Sequence, residues 1–147
     1  MTDFIDYTQV VEDMRNFVRT SAISTSFKAI EKNQNDRDYH TDRMPLLDFR
    51  IKRALPDPKA GQNYYVEVLI EAEIAVFDLT SRDDAATICG DLVNALQRLF
   101  QENPRFSSGI DATIVGVTEF GTGETKEEGA FVAAAVLEFS VFKYADR

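Results

Sequence analysis

The chain has 147 residues, 44% of them hydrophobic, so a single domain spanning 1–147 can bury a core without disulfides or metals. Its formal net charge of −9 makes the surface repel phosphate, which excludes tight binding to a nucleic-acid backbone and adhesion to anionic membranes. No apolar run approaches the ~20 residues that cross a bilayer, and the acidic start MTDFID lacks the basic and apolar regions of a signal peptide. Cys89 is the only cysteine, so no disulfide framework or thiolate zinc site forms within one chain, and synthesis in a reducing cytoplasm is expected.

From Thr8 to about Thr20 the apolar residues Val10, Val11, Met14, Phe17 and Val18 fall at helical spacing, with Thr8 as the expected N-cap. Ser21 to Ser26 leads into a short strand candidate, Phe27-Lys28-Ala29-Ile30. The stretch Glu31–Arg43 is almost free of apolar residues and reads as a long exposed loop.

Leu46 to Leu55 alternates, with Leu47, Phe49 and Ile51 opposite Asp48, Arg50 and Lys52. A loop over Leu55–Asn63, rich in Pro and Gly, then reverses the chain. The run Tyr64 to Asp78 reads as a strand: Val66, Val68, Ile70, Ala72, Ile74 and Val76 share one face, and Glu67, Glu71 and Glu73 the other. Antiparallel pairing of the two strands would set Arg50 and Lys52 against those glutamates and help fix register.

Thr80-Ser81-Arg82-Asp83-Asp84 is a helix start, a hydroxyl cap followed by acids. Ala85, Ala86, Cys89, Leu92, Val93, Leu96, Leu99 and Phe100 continue it as one apolar face until Asn103-Pro104. Gly90 costs that helix about 1 kcal/mol relative to Ala, and close approach to a sheet would be a reason to keep it. Asp111 to Phe120 and Ala130 to Tyr144 are the last strands, joined by a polar, glycine-bounded hairpin loop over Gly121–Gly129. The order predicts an α+β fold: a mostly antiparallel sheet, with an N-terminal helix and a second long helix packed on one face.

Chemistry is sparse. His40, the only histidine, stands among Asp36, Asp38 and Asp42, a donor set too weak for a selective metal site. Cys89 lies on an apolar stripe, where a thiol packs as a small hydrophobe. Glu67, Glu71 and Glu73 beside Arg50 and Lys52 read as a salt-bridged surface rather than an acid–base pair. Gly121-Thr122-Gly123 lacks the following helix of a phosphate loop, and Glu124, Glu127 and Glu128 would repel phosphate. The residues therefore predict no enzyme, no catalytic or metal-binding residues and no cofactor, and point to function through interfaces.

The pattern resembles the tail-terminator and tail-completion (neck) proteins of long-tailed bacteriophages over nearly the whole chain. It is carried by the N-terminal helix, the strand after Met44-Pro45-Leu46-Leu47, Tyr65 to Ala72, the helix Ser81 to Phe100, Ile114 to Val117, and Ala133 to Val141. The resemblance implies a virion protein, assembled in the host cytoplasm, that forms a homo-oligomeric ring of six. Such a ring caps the tail tube, meets the tube protein and a neck or connector protein, and lets genomic DNA pass its lumen without tight binding. The loops Glu31–Arg43, Leu55–Asn63 and Gly121–Gly129 are then the docking elements. Another head–tail connector ring has a related fold, and a small ligand-binding or regulatory α+β domain is the alternative from a different class. Oligomeric mass separates ring from domain.

Overall fold

A computed structural model describes residues 7–32, 43–57, 65–125 and 130–144. Helix α1 (Tyr7–Arg19) buries Val10, Val11, Met14 and Val18, the stripe that the spacing predicts. Thr8 lies inside this helix rather than capping it. A 3₁₀ turn over Ala22–Ser26 leads to strand β1 (Ala29–Lys32). This strand starts two residues later than the sequence predicts and takes in Glu31 and Lys32, the first residues of the expected loop. Parallel pairing with the next strand organises it, a tertiary effect that local composition does not carry. The remainder of that expected loop, apart from Arg43, lies outside the described residues.

Strand β2 (Leu46–Asp57) outlasts the predicted strand by two residues because Pro56 and Asp57 stay in register with Val66 and Tyr65 of β3 (Tyr65–Asp78). Helix α2 (Arg82–Glu102) follows, then β4 (Ile110–Thr125) and β5 (Ala130–Tyr144). The sheet order is β1-β2-β3-β5-β4, antiparallel throughout except for the β1–β2 pair. The fold is α+β as expected.

The alternation of the strands decides which face is covered. Leu47, Phe49, Val66, Val68, Ile70, Ala72, Ile74, Val76, Leu137, Phe139 and Val141 join the stripes of both helices in one core. Five phenylalanines knit it together, with Phe100 of α2 at the hub. Its ring centroid lies 5.5 Å from Phe17 of α1, 5.4 Å from Phe106 and 5.0 Å from Phe139 of β5. Phe139 in turn reaches Phe49 of β2 at 6.4 Å. Neither helix covers the opposite sheet face, where Met44, Leu46 and Ala75 form a second, small cluster at one end.

The caps of α2 follow from its sequence. Ser81 accepts a hydrogen bond from the Asp84 amide at 3.0 Å, and Asp78 accepts from the amides of Thr80 (2.7 Å) and Ser81 (3.2 Å). These bonds, with one from the Thr80 hydroxyl, hold the Asp78 carboxyl below its ordinary range. At the other end the Asn103 amide and side chain both donate to the Leu99 carbonyl. Gly109, at φ 79°, then turns the chain into β4, with the Ile110 amide donating to Ser107.

Candidate functional site

Two surfaces carry what the core does not explain: the sheet face without helices, and the free edge formed by β4.

On the open face, register brings charges into one transverse row. Arg50 stands opposite Glu71, and Glu71 opposite Glu138, so two like charges meet on adjacent strands. Cations from β2 offset them. Arg50 donates from Nε to Glu71 at 3.2 Å, and its other nitrogens lie 3.5 Å from the fully buried Asp48 and 3.8 Å from Glu73. Lys52 sits at a β-bulge between Ile51 and Arg53. The extra residue re-aims its side chain, which reaches across β3 to Glu138 at 3.0 Å and to Glu71 at 3.8 Å. The expected pairing of Arg50 and Lys52 with the strand glutamates is therefore present. Glu138 and Asp48 join it, which pattern reading alone did not pick out. Four carboxylates face two cations, a net of −2 from −4 and +2, so the row stays acidic.

The β4 edge differs in character. Of the five large hydrophobic residues that are exposed among the described residues, three lie on this strand: Ile114 (62%), Val117 (45%) and Phe120 (50%). Ile114 pairs with Ser140 on the open face, whereas Phe120 pairs with Ala135, whose side chain belongs to the core face. The exposed apolar groups thus occupy both faces of one edge strand. A sequence signal existed, since apolar residues occur at both parities in IVGVTEF, the mark of a strand buried on two sides.

Cys89 is fully buried, and burial pushes its thiol up to about 11, so it is a neutral core group as expected. Gly121, Thr122 and Gly123 are not in a hairpin loop. They continue β4 in register with Ala134, Ala133 and Val132, and β4 runs on through Glu124 to Thr125. The partner strand β5 overrides the low strand propensity of glycine there. His40, Glu127 and Glu128 lie outside the described residues. A Cβ at Gly90 would meet nothing within 4 Å, so close approach to the sheet is not why glycine stands there.

Among the described residues no three His, Cys, Asp or Glu side chains come together as a metal-binding group. No described helix is long and apolar enough to cross a membrane. No protein-family model matches the chain, and no curated protein sequence matches it significantly.

Proposed function

We propose that this chain is a structural virion protein whose copies form a ring, six in number, capping a phage tail tube and joining it to the neck or head. The observation that carries the reading is the one-sided architecture. Both helices and the aromatic core lie on one face of the sheet, leaving an open face with a charged row and a long apolar edge. The edge is a surface for a neighbouring subunit and the open face a wall for the channel, and their side chains are committed to packing and ion pairs rather than to a reacting group. The chemistry fits a passive conduit. DNA moving through the ring meets an acidic wall that offers its phosphates no grip.

Electron microscopy of particles assembled without this protein tests the reading. Overlong tails without heads are expected. Tails of normal length beside separate, filled heads would assign the ring to another place in the head–tail connector, and intact virions would refute the proposal.

A further inference from the structure

Resting on that reading, we infer that the ring closes by edge-to-edge pairing, in which β4 of one copy adds as a strand beside β1 of the next. Four observations lead there.

The first is the placement of the exposed apolar residues. A ligand lying on one face of the sheet would cover Ile114 or Phe120, not both, because they point to opposite faces. Ile114 and Val117 also point to opposite faces, and a four-residue strand such as β1 laid alongside residues 114–117 shields the flanks of both at once, with Phe120 beyond its reach. The second is length. β4 runs 16 residues, about 50 Å at the rise of an extended strand, and forms one limit of the sheet. An edge that long and that apolar is a template for pairing unless something covers it.

Charge then selects the partner edge. The sequence of β4 contains Asp111, Glu119 and Glu124 and no basic residue. Two β4 strands meeting about a twofold axis would bring like charges together. Among the described residues the other edge has the opposite balance: Arg15, Lys28, Lys32 and Arg43 stand there against Glu12 and Glu31, four cations to two carboxylates. In a chain of net charge −9, this local basic excess marks the complementary surface.

Strand direction is the fourth. β1 runs parallel to β2, β2 opposes β3, β3 opposes β5, and β5 opposes β4. β1 and β4 therefore run in opposite directions. Subunits related by rotation about an axis along the strands would pair these edges antiparallel, continuing the sheet from copy to copy. Such a head-to-tail contact uses different surfaces on each side, the kind of interface that closes into a ring.

Two variants test this by native mass spectrometry. Val117→Lys puts a charge on the exposed part of β4, where the fold tolerates it, and is expected to reduce the ring to single subunits that stay folded, with a melting temperature that no longer depends on protein concentration. In a Lys28→Cys, Thr118→Cys double variant, a short bismaleimide should link copies into a ladder ending at the full ring, while each single variant yields no linked species. Cys89, being buried, takes no part. A folded Val117→Lys protein that keeps its ring, an absent ladder, or dimers linked through Thr118→Cys alone would each overturn edge pairing. If Val117→Lys fails to fold, the ladder alone decides. A wild-type protein that stays a single subunit at every concentration would instead overturn the ring reading itself.

Discussion

Replacing Phe100 by alanine should remove the single largest side-chain contribution to the core. The ring is fully buried and touches three others, from α1, from the segment before β4, and from β5. Truncating a buried phenylalanine costs about 3–5 kcal/mol through lost transfer energy and the cavity left behind. Part of that is the ring–ring term, about 0.5–1.5 kcal/mol for each well-placed pair. The upper half of the range, about 4 kcal/mol, is expected because α1, α2 and β5 all converge on this side chain and cannot collapse together into the space. With a urea slope of about 2 kcal/mol/M, the unfolding midpoint should fall by about 2 M at unchanged slope. Phe120→Ala is the matched control, since its ring is half exposed and should cost less than about 1 kcal/mol. Ring assembly would raise both midpoints by mass action, so the comparison belongs in the Val117→Lys background at equal protein concentration. A loss below about 1 kcal/mol for Phe100→Ala would mean that the aromatic hub does not hold the helices to the sheet.

The other expectations concern local chemistry. Gly90→Ala should stabilise the protein by about 0.5–1 kcal/mol, because the new methyl meets open space in a helix interior; a lower melting temperature would contradict that. Ser81→Ala should cost about 1 kcal/mol by removing the cap on the Asp84 amide, read as a shifted urea midpoint. Cys89 should react with a disulfide reagent only at the rate of unfolding, and promptly in denaturant; fast labelling of the folded protein would place the thiol outside the core. The Asp78 carboxyl, bonded by Thr80, and the Glu12 carboxyl, bonded by Lys32, are both held below their ordinary values of 3.8 and 4.5. Their contribution to stability is therefore present above those values and lost as the pH falls through the lowered ones. Asp78→Asn and Glu12→Gln should each flatten the acid limb of melting temperature against pH.

Much of the fold was legible because burial imposes its period on the residues. The stripe of α1, the capped α2 and the alternation of β2, β3 and β5 all follow from local sequence, and the structure keeps them. What escaped depends on partners distant in the chain. The sequence marks a strand at Phe27 to Ile30, but its extension through Glu31 and Lys32 depends on the parallel pairing with Leu46 to Phe49. Gly121-Thr122-Gly123 reads as a turn until Ala133 and its neighbours hold it extended. The candidate surfaces divide in the same way. Arg50 and Lys52 against Glu71 and Glu73 could be foreseen from two adjacent strands. Glu138 enters only because the sheet places β5 beside β3, and because a bulge aims Lys52 across the strand between them. That β4 carries apolar groups on both faces was legible in IVGVTEF, but the exposure of Ile114, Val117 and Phe120 was not, because edge position is a property of strand order.

That strand order also bears on how the proposed ring would treat DNA. The inferred edge pairing would place the open face of every subunit on one side of a continuous sheet. With the helices outward, that face would line the lumen. The wall would then carry Asp48, Glu67, Glu71, Glu73, Glu119 and Glu138 against Arg50, Lys52 and Arg53, a net of −3 per subunit from −6 and +3 among the described residues. Arg50 and Lys52 are held by carboxylates, so engaging a phosphate through them would mean breaking ion pairs, in the case of Arg50 one to the fully buried Asp48. The exposed Arg53 is outnumbered by the surrounding acids. Like charges repel over a Debye length of about 8 Å at physiological salt, so DNA passing such a ring would be kept from the wall rather than caught on it. Assembled protein titrated into fluorescently labelled duplex should therefore leave its anisotropy unchanged at physiological salt. Binding whose logarithm falls steeply with the logarithm of salt, about 0.9 per phosphate neutralised, would show a basic lumen and refute the orientation.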